Sequence, residues 1–282
     1  MVPLIAQKEK KKMSDELVIE QKQGLGNTGT QIGVQNNNYG ISPIEATQMA
    51  FAIFREYYPQ LRDEALADLN ILVEEKLSSI PQELIDPPKP RIAVPALQNA
   101  SITEEHEVRE LYANLLANSM NKVVKNGVHP GFVEIIKQLS PDEAKILEYM
   151  CTHKTIPTIT LKYVHNDGSG IEIIKNFSNV GEIVGCEYPQ DIAKYFDNMT
   201  RLGLIVNAGG LSSLTDKKRY EPLKKHKWVA SQATIENANA IGFEKINFEE
   251  GFVKLSSYGE SFCSICLETQ KVVIIKSQES GI

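Results

Sequence analysis

The change from helix to strand in this chain falls at the stretch Ile156-Pro157-Thr158-Ile159-Thr160-Leu161-Lys162-Tyr163, where apolar and polar residues alternate. Alternation with a period of two is typical of a strand that is buried on one face. The turn-forming residues Asn166-Asp167-Gly168 come next, and the segment 171–174 can pair back across that turn. This stretch therefore predicts a small sheet in a chain whose patterns up to residue 153 are helical.

Helical patterns dominate the first half of the chain. Apolar residues at three-to-four spacing predict a helical hairpin over 41–85, followed by a stiff, proline-rich connection at 86–90. Two capping boxes, Ser101 to Glu104 and Ser140 to Glu143, predict the starts of two further helices. The domain organisation expected from these signals is a disordered tail over 1–40, the hairpin, a helical and α+β domain over 91–270, and a short tail over 271–282.

The second half of the chain has the element order of a winged helix-turn-helix. The predicted order is helix 141–153, strand 156–163, helix 189–202, strand 204–206, strand 251–255 and a closing helix. The phrases Met199-Thr200-Arg201-Leu202-Gly203-Leu204-Ile205 and Val253-Lys254-Leu255-Ser256-Ser257-Tyr258 resemble the end of many winged-helix domains. The expected fold class is therefore mainly α, of the α+β type, with a winged-helix-like domain whose wing carries a long insertion.

That insertion is locally basic and offers a candidate nucleic-acid contact. Its basic residues are Lys217, Lys218, Arg219, Lys224, Lys225 and Lys227, and they outnumber Asp216 and Glu221. A wing is where such a module touches phosphates. The alternative is that this basic segment is a solvated loop without a nucleic-acid partner. The predicted recognition helix favours nucleic acid less, because Asp191 and Asp197 offset Lys194 and Arg201.

Composition excludes several classes of protein. The 282 residues carry 30 Lys and Arg against 36 Asp and Glu, a net charge of −6, which argues against coating nucleic acid with the whole surface. Apolar runs such as 272–275 are far too short for a membrane helix, and no signal core is present at the N-terminus. Four cysteines do not make a disulfide framework. A cytoplasmic protein without a membrane span is expected.

No motif for catalysis, a cofactor or a metal is complete in the sequence. Gly24-Leu25-Gly26-Asn27-Thr28-Gly29 has dinucleotide-site spacing, but the residues after it are uncharged and amide-rich and do not form a helical pattern. Cys263 and Cys266 form half a metal site with no second pair, and Glu110 stands where a zinc-protease helix needs histidine. The histidines are scattered, so we expect no enzyme, no cofactor and no metal.

The N-terminal segment Gln23 to Ile44 carries the most specific signal. It has no charged residue and holds five glycines, four asparagines and three glutamines. Gln31-Ile32-Gly33 followed by Asn36-Asn37-Asn38-Tyr39 resembles the core of the RIP homotypic interaction motif and of bacterial amyloid signalling sequences. Thr30 departs from that pattern, and the Asn run begins late. Stacked strands let Gln and Asn form side-chain ladders. The alternative is a plain flexible or strand-adding tail.

The central segment brings a second resemblance. Glu110-Leu111-Tyr112-Ala113-Asn114-Leu115-Leu116-Ala117-Asn118-Ser119-Met120, with the phrase from Val128 to Ala144, is similar to the bacterial Abi-alpha family over roughly residues 90–270. That family is named for a suspected part in abortive infection, the phage defence in which an infected cell stops phage spread. The resemblance implies a setting and no catalytic residues.

These signals together predict a non-enzymatic bacterial immunity protein that contacts itself or a protein partner through Gln31, Ile32, Gly33 and residues 36–39. A homo-oligomer is expected. One alternative is a winged-helix regulator that binds nucleic acid through its basic wing. A further alternative is a structural oligomer built on the helices around Leu111 and Leu115.

Overall fold

The computed structural model describes residues 45, 48, 52, 56 and 63–267, all within the compact unit Gly40–Ile282. The first helix of the predicted hairpin therefore lies mostly outside the described residues. Its four described positions are helical, and Gln48 Nε2 donates a hydrogen bond of 2.9 Å to Glu74 Oε1. That bond links the first helical segment to the next helix in the chain.

The N-terminal part of the described fold is helical. Its helices are α1 (Asp63–Ser78), α2 (Pro90–Ile102), α3 (His106–Met120), α4 (Gly131–Ile136) and α5 (Pro141–Thr152). Short 3₁₀ turns lie at Gln82–Leu84 and Lys125–Gly127. The apolar faces of these helices belong to one hydrophobic core that continues into the sheet.

Helix α3 is the centre of this core. Every residue from Leu111 to Met120 is buried, including the polar residues Asn114 and Asn118. A helix that is buried on all sides must be surrounded by other elements, and α1, α2, α4, α5 and the last helix all contact it. The surface proposed for a structural oligomer is therefore not available, because Leu111 and Leu115 are 3% and 0% exposed within a single chain.

The predicted capping box at Ser101 is wrong. Pro90 starts helix α2, and Ser101 lies in its last turn, where its hydroxyl donates to Gln98 O. The next helix begins at His106, after an N-cap Glu105 that makes no side-chain cap. The prolines of 86–90 predict the end of helical structure. Pro90 can nevertheless start α2, because a residue at the first helical position makes no intrahelical hydrogen bond through its amide.

The second capping box is confirmed. Ser140 Oγ accepts a hydrogen bond of 3.3 Å from Glu143 N, and Glu143 Oε2 accepts one of 2.7 Å from Ser140 N. Both bonds satisfy amides that a helix start leaves without partners. Helix α5 therefore begins where the sequence predicts it.

A four-stranded antiparallel sheet completes the fold. Its strands are β1 (Thr155–Val164), β2 (Gly170–Phe177), β3 (Ile205–Asn207) and β4 (Lys245–Leu255), in the order β2-β1-β4-β3. The helices between and after them are α6 (Val180–Ile183), α7 (Ile192–Arg201), α8 (Glu221–Lys224), α9 (Lys227–Gln232), α10 (Ile235–Ala240) and α11 (Ser257–Cys266). Further 3₁₀ turns lie at Pro189–Asp191 and Lys217–Tyr220.

The expected fold class, mainly helical with a small antiparallel sheet, is confirmed. The predicted hairpin pairing is present, since Ile171 lies opposite Tyr163 and Ile174 opposite Leu161. Strand β4 begins at Lys245 and is longer than the predicted 251–255. Ile246 and Phe248 alternate with polar residues, which is a strand signal that the prediction did not use. The assignment of this half to the winged-helix class stays a prediction.

Candidate functional site

The long insertion between β3 and β4 is packed against the sheet. Tyr220, Leu223 and Val229 are almost fully buried. Tyr220 Oη donates a hydrogen bond of 2.9 Å to Gly251 O of β4 and accepts one of 2.8 Å from Leu214 N. The expectation of a solvated loop is therefore wrong: the apolar residues between the lysines form small helices that cover part of the sheet.

Two of the predicted nucleic-acid contacts are engaged by one carboxylate. Lys217 Nζ lies 2.6 Å from Glu250 Oε2, and Lys224 Nζ lies 2.8 Å from Glu250 Oε1. Burial raises the pKa of Glu250, but the hydrogen bonds and charges of the two lysines outweigh it and lower that pKa overall. Glu250 therefore holds the start of the insertion on β4.

Of the other four cations, two have polar partners and two have no ion pair among the described residues. Arg219 donates to Thr155 O at 2.6 Å and to Thr155 Oγ1 at 2.8 Å, and Lys225 lies 3.2 Å from Glu221. Lys218 and Lys227 are exposed and form no ion pair with any residue in the described part of the chain. The six cations are thus not one free basic face, and nucleic-acid contact through them stays a prediction.

Helix α7, the predicted recognition helix, has cations that are already partnered. Lys194 lies 2.8 Å from Asp191, and Arg201 donates to Asn198 Oδ1 and to Gln138 Oε1. Asn198 in turn donates to Glu143 Oε1 at 2.8 Å. These contacts tie α7 to the start of α5. Lys194 is neutralised by a carboxylate, whereas the acceptors of Arg201 are neutral amide oxygens.

A buried carboxylate fixes the turn before α7. Asp142, in the first turn of α5, accepts hydrogen bonds from Glu187 N (2.9 Å), Tyr188 N (3.1 Å) and Tyr195 Oη (2.8 Å). Burial raises the pKa of Asp142, but these three donors outweigh it and lower the pKa overall. Asp142 is therefore a structural anchor between α5 and α7.

The side chains considered for metal or catalytic chemistry are dispersed. Among the described residues no group of three metal-ligating side chains comes together. Three histidines instead face single carboxylates, in the pairs His106–Asp68, His165–Glu244 and His226–Glu182. Cys263 and Cys266 are buried on α11, and burial raises the pKa of the Cys266 thiol. Their spacing serves helix packing.

The most specific buried polar contact was not predicted. Asn114 Nδ2 donates to Cys266 O at 2.9 Å, and Asn118 Nδ2 donates to Ile265 O at 2.7 Å. Both asparagines lie on α3, and both carbonyls belong to the last turn of α11, which lacks intrahelical donors. The only sequence signal is a pair of asparagines four residues apart in the otherwise apolar stretch from Leu111 to Asn118.

Comparison with known proteins decides the family. A model of the abortive infection alpha family matches residues 61–266, well over half of the chain. The chain belongs to the abortive infection alpha family. The match runs from α1 to the end of α11, so the family domain includes both the helical core and the sheet with its insertion. An abortive-infection-related role follows from this membership, and the predicted resemblance to this family over roughly residues 90–270 is confirmed.

Other comparisons add little to the abortive infection alpha assignment. No curated protein matches the chain. An uncharacterized protein of the hydrocarbon-degrading marine bacterium Alcanivorax borkumensis SK2 is similar in structure, with a TM-score of 0.34 and 19% identity over 49% of this chain and 92% of that one. A TM-score at that level supports no conclusion about fold or function.

Two further expectations concern the N-terminal motif and membrane-spanning helices. The N-terminal motif, Gln31, Ile32, Gly33 and residues 36–39, lies outside them. Within them, no helix combines the length and apolarity needed to span a bilayer.

Proposed function

We propose that this abortive infection alpha protein acts in the cytoplasm without catalysing a reaction, by binding itself or a protein partner through its N-terminal motif. The observation that carries the proposal is the uncharged sequence of residues 31–39, with its Gln-Ile-Gly core and Asn run, placed ahead of the family domain. Such a sequence can pair by added β-strands, because amide side chains form ladders and no charge repels a neighbour.

The buried polar groups of residues 63–267 support a role in protein–protein binding. Its buried carboxylate Asp142 binds three donors of its own chain, and its buried asparagines Asn114 and Asn118 bind helix carbonyls. Each of these groups has a structural function that accounts for its burial. The central helix is enclosed within a single chain, so self-association would use another surface, and we assign it to residues 31–39.

The decisive experiment replaces Gln31, Ile32 and Gly33 together with alanine in the full chain. We expect assembly, followed by thioflavin fluorescence and sedimentation, to be lost while the thermal unfolding midpoint of the body stays unchanged. The matched control replaces Gln21, Lys22 and Gln23 with alanine, which leaves the core motif intact. Assembly that persists in the first variant, or disappears in both, would contradict the proposal.

A further inference from the structure

The cations of the sheet differ in how they are neutralised. Lys162 of β1 lies between Glu249 (2.8 Å) and Glu172 (3.6 Å), and Glu250 pairs with Lys217 and Lys224. Around Thr155, where β1 begins, the pattern changes. Lys154, Arg219 and Lys254 form no ion pair with any residue that the structure describes.

Sheet geometry places two of these cations on one face. Thr155 and Lys254 are direct partners across the antiparallel pair β1–β4, so their side chains point to the same side. Arg219 donates to Thr155 Oγ1 from that side, and its acceptors are neutral oxygens. Lys154 immediately precedes Thr155 and is exposed. Arg219 and Lys254 thus lie on one face without an ion-pair partner among the described residues, and a bound anion would offset the repulsion between such like charges.

An exposed aromatic platform adjoins these cations. His153 stacks on Tyr149 with ring centroids 3.9 Å apart and an angle of 2° between the ring planes. Its Nδ1 lies within hydrogen-bond distance of Tyr149 O (3.2 Å) and Thr152 Oγ1 (2.9 Å), which holds the ring in that orientation. His153 is itself exposed and is followed directly by Lys154. A fixed aromatic ring beside cations is the arrangement that proteins use for unpaired bases and their phosphates.

We propose that His153, Lys154, Arg219 and Lys254 form a binding site for single-stranded nucleic acid. The cations contact successive phosphates, and one base stacks on the His153 ring. This site goes beyond the proposed self-assembly and does not depend on it. It shares Arg219 with the predicted basic wing but does not include Lys217 and Lys224, which are paired with Glu250.

Binding is tested with the full chain and a fluorescein-labelled 12-nucleotide oligouridine, followed by anisotropy at several salt concentrations. The variant Lys154→Gln/Lys254→Gln should weaken binding by at least about tenfold at low salt. It should also reduce the slope of log K against log salt by about 0.7 for each lost phosphate contact. The matched control, Lys175→Gln/Lys245→Gln, changes two exposed lysines of the same sheet and should bind like the parent protein.

A second variant tests the aromatic platform. His153→Ala should weaken binding on the order of tenfold, and His153→Phe should restore it because the stacking surface is retained. Equal unfolding midpoints for all variants show that the fold is intact. Several results would overturn the site: no binding by the parent protein, equal losses in the two lysine pairs, tighter binding of a 12-base-pair duplex, or binding only to phosphatidylserine vesicles.

Discussion

Helix α3 and the insertion between β3 and β4 differ in how their buried residues are distributed along the sequence. In α3 a continuous run from Leu111 to Met120 is enclosed by neighbouring helices. In the insertion only single residues such as Tyr220, Leu223 and Val229 are buried, and the residues between them are exposed or half-buried. The apolar composition of α3 predicts its burial. The insertion is partly buried only because its scattered apolar residues pack against the sheet.

The polar contacts of the two regions differ in the same way. Asn118 and Asn114 hold α11 with amide groups that do not titrate, and they are buried in the core. The insertion is held by Tyr220 Oη and by Glu250, a carboxylate between two lysines near the surface. The attachment of the insertion should therefore respond to pH, while the attachment of α11 should not.

The largest effect is expected from shortening the buried leucine of each region. Leu115→Ala should lower the free energy of unfolding by about 5 kcal/mol and Leu223→Ala by about 2 kcal/mol, since both leave cavities but the insertion can relax more easily. Urea unfolding followed by circular dichroism measures both. Ile71→Ala, at a position that is 63% exposed, is the control and should change little. An unchanged Leu223→Ala variant would mean that the insertion adds nothing to stability.

A smaller effect is expected from removing one polar group in each region. Asn118→Ala leaves the carbonyl of Ile265 without that donor, and Tyr220→Phe leaves the carbonyl of Gly251 without its hydroxyl donor. Each should cost about 1–3 kcal/mol of unfolding free energy, because a buried carbonyl loses its partner. Tyr188→Phe, at an exposed tyrosine, is the control for Tyr220→Phe. A cost for Asn118→Ala alone would show that the insertion is loosely attached.

The smallest effect concerns the titration of Glu250. Because its pKa is lowered in the folded protein from the ordinary value of 4.5, its ion pairs stabilise the insertion above that value. That stabilisation, below about 1 kcal/mol, disappears as the pH falls through the folded pKa. Trp228, the single tryptophan, lies in the insertion with its ring centroid 5.5 Å from that of Phe177, so its fluorescence reports the attachment.

Comparison with Glu250→Gln isolates this contribution. The variant should shift the Trp228 spectrum already at neutral pH and respond less than the parent protein as the pH falls below the unfolded pKa of a glutamate. The total helical signal, followed by circular dichroism, should change little over the same range in both proteins. Identical acid titrations of the Trp228 spectrum would rule out Glu250 as the pH-dependent attachment.

Local sequence signals predicted the elements whose pattern is complete within one short stretch. The capping box of Ser140 and Glu143 and the alternation of 156–163 both specify local structure, and both are confirmed. Helix α2 was missed because its first turn contains Pro90, and the predicted β4 was too short because its first half is rich in polar residues. In both cases the stabilising contacts come from distant segments, which local patterns cannot report.

One candidate site was found from the sequence, and the other only from the tertiary structure. Sequence alone supplies the uncharged Gln-Ile-Gly segment, since the ability to pair in stacked strands depends on the composition of a short stretch. It also determined the helical class of the first half and the family. Only the tertiary structure showed which cations are already neutralised and which are gathered around Thr155, because His153, Arg219 and Lys254 are far apart in sequence. Strand pairing and the folding back of the insertion bring them to one end of the sheet.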